Sequence, residues 1–327
     1  MKKNILFLVV ITIIFTLVIT LISFLTDTSK NGDEKIEVVA TLFPQYDFVK
    51  QVGGDKVNVT LLLPSGTESH TYEPTPKDMV NINNSQLFIY TGKEMEPWAE
   101  QIIAGMKKDV NVLDLSKTVD LINPEEFEHE HESEGEEQHE HEEHEHDHNH
   151  SYDPHIWLNP KHAIKMVESI RDELCKIDPD NKEYYTANAE AYIQEIQGLD
   201  NDFEQVVANS KTKKIAFGGA FAYAYFIERY NLEFISAYES CGENVEPSTM
   251  KIKEVIDYIN TNNLPVIFYK EYTNGNVAKT ISESTGAKML VFNTVHNVSK
   301  AEIENNATYV SIMKQNLENL KIALEVE

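Results

Sequence analysis

The chain has 327 residues, with 28 Lys and Arg against 54 Asp and Glu, and a formal net charge of −26. That acidic balance argues against nucleic-acid binding, because phosphate contacts require clusters of lysine and arginine. The acid is local: 13 acidic residues between Glu125 and Asp147 carry half of the net charge, so the remainder is only moderately acidic.

Lys2 and Lys3 precede an uncharged run from Ile5 to Leu25. As a helix this run spans about 32 Å, enough to cross a hydrocarbon core of about 30 Å. The positive-inside rule keeps both lysines in the cytoplasm and everything after Asp27 outside. A cleaved signal peptide has a shorter apolar region and a small-residue cleavage site, neither of which is evident, so residues 1–32 are expected to be an uncleaved membrane anchor. No cysteine follows the apolar run, which excludes lipid attachment at a processed N-terminal cysteine. Cys175 and Cys241 are the only cysteines; an exported protein can pair them, but their separation does not decide it.

The next segment alternates strands with helices. Glu37 to Leu42 reads as a strand, Tyr46 to Val52 as a short helix stopped by Gly53-Gly54, and Val57 to Leu63 as a second strand. Pro64-Ser65-Gly66-Thr67-Glu68-Ser69-His70 is then a loop, which puts His70 just past a strand end. Pro76 to Asn83 reads as a helix, Leu87 to Tyr90 as a buried strand and Glu96 to Met106 as a helix. Such alternation predicts parallel strands with crossovers, whose ligands gather outside the carboxyl ends of the strands.

A tract of glutamate and histidine follows. It holds eight of the 12 histidines, leaving His70, His155, His162 and His296 elsewhere. Apart from Phe127 it offers no apolar side chain to offset the entropy of ordering, so residues 125–151 are expected to be a disordered insertion. Imidazoles interleaved with carboxylates should collect zinc, copper or nickel loosely. The tract ends in Asp153-Pro154-His155-Ile156-Trp157-Leu158, a proline-bounded turn with a histidine beside a large aromatic. Pro160 opens an amphipathic helix, on which His162 reads as a surface residue; Trp98 and Trp157 read as lobe packing.

Asn181 to Ala208 is the longest predicted helix. Tyr185, Ala189, Tyr192, Ile196, Leu199, Phe203 and Val206 form an apolar stripe along about 40 Å. A second alternating set follows: strands at Lys214 to Phe217, Leu232 to Ala237, Val266 to Tyr269 and Met289 to Phe292. The helices between them are expected at Phe221 to Tyr230, Glu246 to Asn260 and Asn276 to Thr285, with Ala301 to Leu324 closing the chain. The fold class is therefore α/β: two lobes with parallel-type sheets flanked by helices, joined by one long rigid helix. The expected boundaries are 33–180 for the first lobe, 181–210 for the linking helix and 211–327 for the second lobe.

Several motifs occur in one order: Ala40-Thr41-Leu42-Phe43-Pro44-Gln45-Tyr46, then Pro64 through His70 to Thr71-Tyr72-Glu73-Pro74, then Glu96-Pro97-Trp98, the histidine-rich insertion and Asp153-Pro154-His155-Ile156-Trp157-Leu158. Together they resemble the zinc and manganese solute-binding proteins of bacterial ABC importers. The resemblance spans about Glu37 to Leu324. It implies a metal held between two lobes and delivered to the membrane subunits of a permease, with no enzymatic activity; a monomer is expected.

The resemblance also implies that His70 and His155 are the first two metal ligands. The second lobe departs from the family pattern. Gly218 stands where a third histidine is expected, before Ala220-Phe221-Ala222-Tyr223, and Asn293 where a carboxylate is expected. Two imidazoles alone would hold zinc weakly, since such sites normally supply three or four protein ligands. His296, in the same loop as Asn293, and Glu271, after the strand ending at Tyr269, are the candidate substitutes; Glu239 and Cys241 are weaker ones. Imidazole ligands favour zinc over manganese, so Zn2+ is the expected cargo, although copper and nickel accept the same donors.

Two other readings compete. A surface metal-buffering or sensing protein would bind mainly through the tract and have a degenerate site between the lobes. A zinc enzyme is opposed by the lack of a paired-metal carboxylate cluster and a Gly-x-Ser-x-Gly elbow. A continuous linking helix also predicts little lobe closure on metal binding.

Overall fold

Short apolar runs rich in valine, isoleucine and aromatics build the first sheet. Its strands are β1 (Ile36–Ala40), β2 (Val57–Leu61), β3 (Leu87–Tyr90) and β4 (Asn111–Asp114), in the order β2-β1-β3-β4. β3 lies between β1 and β4 and runs parallel to both. All four of its residues, Leu-Phe-Ile-Tyr, are buried, as expected of a parallel strand covered on both faces. The computed structural model describes residues 15, 16, 18, 35–107, 109–122, 152–238 and 247–326. All of the expected anchor but residues 15, 16 and 18, the histidine-rich tract, Glu239 and Cys241, and with Cys241 the candidate disulfide to Cys175, lie outside the described residues. Among the described residues no helix is long and apolar enough to cross a membrane.

The first lobe is completed by α1 (Phe43–Gly53), α2 (Pro76–Asn84), α3 (Ala99–Gly105) and α4 (Pro160–Ile177). α1 begins with a proline in its first turn and ends at Gly54, which takes φ +52°. α2 starts with a reciprocal cap: Thr75 Oγ1 accepts from the Asp78 amide, and the Asp78 carboxylate accepts from the Thr75 amide.

The long helix α5 (Lys182–Ala208) has 27 residues, and the predicted apolar stripe is its buried face. Beyond it, β5 (Lys214–Phe217), β6 (Glu233–Ser236), β7 (Val266–Tyr269) and β8 (Lys288–Val291) form a second parallel sheet, ordered β6-β5-β7-β8. Its helices are α6 (Ala224–Tyr230), α7 (Thr249–Asn262), α8 (Asn276–Thr285), α9 (Lys300–Glu304) and α10 (Tyr309–Ala323). The expected closing helix is thus two helices. Asn306 adopts φ +54°, and Thr308 caps α10 by accepting from the Ser311 amide.

α10 packs back onto α1 and α5, so the C-terminal helix belongs physically to the joint between the lobes. The buried Asp47 of α1 ties the three together, accepting from Tyr192 Oη of α5 at 2.6 Å and from the Tyr309 amide of α10 at 2.8 Å. In each sheet the strand order reverses once, between β1 and β3 and between β5 and β7. That topology leaves a crevice outside the carboxyl ends of the strands, where ligands of open α/β sheets bind.

Candidate metal centre

His70 lies in the loop after β2, and His155 opens the short 3-10 turn Ile156–Leu158. Their rings are 5.3 Å apart between centroids. Asp153 Oδ1 accepts from the His155 amide at 2.8 Å and sits 2.9 Å from His155 Nδ1. A carboxylate at Nδ1 fixes the ring and leaves Nε2 as the free donor atom. Trp157 packs against His155 with centroids 5.5 Å apart and is fully buried, so it supports the turn. His70 Nε2 is buried and has no hydrogen-bond partner. Burial, with the nearby His155 adding to it, pushes the His70 imidazole down to about 3, so it is neutral at physiological pH.

His296 follows β8 in a turn that the second lobe builds and the first lobe holds. Within the turn, Asn293 accepts from the Val295 amide through Oδ1 at 2.6 Å, and its own backbone is bonded in both directions to the Asn316 carboxamide. Val295 takes φ +62°, unusual for a β-branched residue, and this conformation aims the next side chain. Three residues of the turn are then bonded to the first lobe. Trp157 Nε1 donates to the Thr294 carbonyl at 2.7 Å, the Phe43 amide to the His296 carbonyl at 3.1 Å, and Asn297 Nδ2 to the carbonyls of Pro64 and Thr67 at 2.8 Å each. His296 is therefore fixed to the frame that carries His70 and His155.

Glu271, after β7, stands behind His296. Its Oε1 is 3.1 Å from His296 Nδ1, and its Oε2 accepts from the Thr294 amide at 2.9 Å. The Thr294 hydroxyl bonds both groups. Burial alone would push the Glu271 carboxyl up, but His296 and Thr294 outweigh it and hold the group ionised. His296 Nε2, on the opposite side of the ring, is buried without a partner. His155 and His296 are thus built alike, each with a carboxylate on Nδ1.

Gly218 cannot carry an equivalent. A Cβ at that position would lie 2.6 Å from Ala278 Cα and 2.8 Å from Ala278 Cβ at the start of α8. The Asn293 carboxamide is likewise spent on its own turn. His162 is not the open surface residue its sequence suggests. It packs edge-on to Tyr225 at 5.4 Å, its Nδ1 is buried without a partner, and burial lowers its basicity to about 4.

Four residues at the site have no role in the reading of the sequence: Asp153, Thr294, Glu68 and Lys270. Asp153 and Glu68 each stand two residues before a histidine, which is the one signal that could have found them. Lys270 Nζ lies 2.8 Å from Glu68 Oε2, and the lysine side chain is only 2 % exposed. Burial would raise the Glu68 carboxyl, but Lys270, His296 and His70 overcome this and hold it at about 2. Among the described residues, no group of three or more His, Cys, Asp and Glu side chains is gathered at metal-holding distance as placed.

Residues 38–323 match the family of zinc-uptake complex component A, periplasmic. The chain belongs to that family. The family is a transport component and not an enzyme. The high-affinity zinc uptake system protein ZnuA of Bacillus subtilis is 38 % identical over 295 residues, covering 90 % of this chain and 89 % of the relative. The zinc-binding lipoprotein AdcA of Streptococcus pneumoniae is 32 % identical; the match covers 91 % of this chain but only 58 % of that longer protein. Among solved structures, the metal-dependent lipoprotein YcdH of Bacillus subtilis superposes with a TM-score of 0.74 at 33 % identity, covering 89 % of this chain and 100 % of its own. The Zn(II)-bound ZnuA-like domain of Streptococcus pneumoniae AdcA gives 0.72 at 30 % identity, covering 89 % and 99 %.

Proposed function

We propose that this chain is an extracytoplasmic zinc-binding protein that captures Zn2+ between its lobes and delivers it to the membrane subunits of an ABC permease. Nε2 of His70, His155 and His296 are the protein ligands. Glu271, which the sequence offers as a direct ligand, acts from behind His296 instead, because both of its oxygens already face Thr294 and His296. The observation that carries this reading is the pair of buried, partnerless Nε2 atoms on His70 and His296. Buried polar atoms are normally satisfied, and a neutral imidazole with an open Nε2 is a zinc donor.

Zinc needs nitrogen donors at about 2.0–2.1 Å, so the ligands must draw together when it binds. His155 and His296 are each held at Nδ1 and by turns bonded to the first lobe. The His70 loop has no helix or strand from residue 62 to 75, and its part beyond Thr67, which Asn297 does not hold, is the part that moves. This agrees with lobes joined by a 27-residue helix, in which closure is small. The names of the relatives, zinc-uptake and zinc-binding proteins, support zinc as the cargo, and the family's description as periplasmic supports an extracytoplasmic location.

The test is a chelator-competition titration with Zn2+ on the whole protein and on a variant lacking residues 125–151. One tight site is expected in both, lost with His70→Ala, His155→Ala or His296→Ala. Loss of all tight binding along with the tract would overturn the proposal in favour of a metal buffer.

A further inference from the structure

A fully buried tyrosine outside the cleft reaches two of the histidines through a tryptophan. Tyr309 opens α10, and its Oη donates to the Trp157 carbonyl at 2.8 Å. Trp157 in turn meets the turns of both His155 and His296. Its ring packs against His155 with 5.5 Å between centroids, and its Nε1 donates to the Thr294 carbonyl at 2.7 Å, two residues before His296. Tyr309 is itself fixed from behind: its amide donates to Asp47 Oδ2 at 2.8 Å, and its ring meets Phe48 edge-on at 5.2 Å, so α1 sets where the hydroxyl stands. α1 also reaches His296 directly, through the Phe43 amide on the His296 carbonyl at 3.1 Å. The bonds thus close a circuit, from His296 to α1, from α1 to Tyr309, and through Trp157 and Thr294 back to His296. A closed circuit of buried bonds in a packed interior does not lengthen at one point without straining the others.

We propose that Tyr309 is a positioning residue for the metal site: through Trp157 it sets the spacing between His155 and His296, and with it the size of ion that the cleft accepts. This rests on the three-histidine reading of the site. His155 and His296 form the fixed side of the cleft, and the His70 loop closes against them. A fixed pair of donors holds best the ion whose bond length matches its spacing, and zinc asks for about 2.0–2.1 Å to each nitrogen. A larger ion that also takes imidazole, such as Cd2+, requires the two rings to part. They part only if Trp157 moves, and Trp157 is held at its carbonyl by Tyr309 and at its indole by Thr294. Removing the Tyr309 hydroxyl opens the circuit at one point, while every ligand and the carboxylates behind His155 and His296 stay in place.

The experiment is a chelator-competition titration of Zn2+ and of Cd2+ on the full chain and on Tyr309→Phe, Trp157→Phe, Tyr192→Phe and His155→Ala, with thermal unfolding of each metal-free variant. Tyr309→Phe should weaken Zn2+ binding by about tenfold, the low end of what losing the support behind a metal ligand costs. It should weaken Cd2+ binding less, so that the preference for zinc falls. Trp157→Phe removes the indole donor at the other end of the same link and should lower that preference too; it decides the point should Tyr309→Phe fail to fold. Tyr192→Phe is the control. It removes a 2.6 Å bond to Asp47 from α5, outside the circuit, and should lower the unfolding temperature with the Zn2+ to Cd2+ ratio unchanged. A ratio that stays constant in Tyr309→Phe, or that shifts as much in Tyr192→Phe, would mean that the tyrosine only stabilises the joint between the lobes, and either result overturns the proposal. His155→Ala separates this from the reading beneath it: if tight zinc binding survives, the three-histidine site is misread, whereas if it is lost while Tyr309→Phe leaves the ratio constant, only the positioning role fails.

Discussion

Oε1 of Glu271 lies 3.1 Å from Nδ1 of His296, repeating across the cleft the 2.9 Å approach of Asp153 to His155. Each carboxylate orients a ring and fixes its tautomer. Removing such a partner typically lowers metal affinity by about 10- to 100-fold. Glu271→Ala and Asp153→Ala should each weaken zinc binding in that range, whereas loss of a direct ligand such as His155 should abolish the tight site. A chelator-competition series checks it: a Glu271→Ala affinity equal to that of the parent protein would refute the orienting role.

Restoring the family's missing histidine should not help. The Gly218 Cα faces Ala278 so closely that any Cβ meets backbone at 2.6 Å. Gly218→His should therefore cost about 1–3 kcal/mol of stability through overpacking, without tightening zinc binding. Urea unfolding and zinc titration of the same variant read both effects. Normal stability with a gain in affinity would show that α8 yields readily and that this packing does not exclude a ligand there.

Tyr225 of α6 reaches across to the two residues that flank the tract on the described side. Its hydroxyl accepts from the Ile122 amide at 3.1 Å and donates to the Asp153 carbonyl at 2.9 Å, while the Asp153 amide donates to the Ile122 carbonyl at 3.2 Å. Asp153 in turn holds His155. Tyr225→Phe should cost about 1 kcal/mol, the usual net worth of a hydrogen bond or two in a partly buried place. It should also speed hydrogen exchange at the Ile122 amide and weaken zinc binding by less than Asp153→Ala does. Unchanged exchange at Ile122 would mean that the clamp contributes nothing.

Much of this was legible from local pattern. The alternation of short apolar runs with amphipathic segments gives both sheets, and the stripe from Tyr185 to Val206 gives the long helix, because burial of one face follows directly from spacing. β4 is missed, since Asn111-Val112-Leu113-Asp114 is short and only partly buried, and its pairing with β3 is a tertiary fact. The split of the last helix at Asn306 depends on a left-handed residue that asparagine adopts more easily than most. At the site, His70 and His155 stand in motifs, but the orienting role of Glu271 and the Lys270–Glu68 pair exist only once two lobes meet. No spacing along the chain encodes a contact across 202 positions.

Glu96, in the Glu96-Pro97-Trp98 motif, sits fully inside the first lobe beside β1 and β3. Burial pushes its carboxyl up to about 7, more than the bonds from Thr41, Gly92 and Thr91 can pull it down. The bonding supports a protonated group. The Thr41 hydroxyl has one proton and two acceptor neighbours, Gln45 Oε1 at 2.8 Å and Glu96 Oε1. With Glu96 protonated, its O–H donates to Thr41 Oγ1 and the Thr41 proton goes to Gln45, so every group is satisfied. The sign of the pH effect follows. The folded protein keeps this proton to about pH 7, whereas the unfolded chain releases it near the ordinary value of 4.5. The folded state therefore binds more protons between those values, and stability falls as pH rises through the window, by about 3 kcal/mol in all from this group. Glu96→Gln carries no such proton, so its stability relative to the parent protein should rise steadily from pH 4.5 to 7 and level off above. Urea unfolding at a series of pH values checks it; a difference between the two proteins that stays constant across the window would show that Glu96 is ionised in the fold.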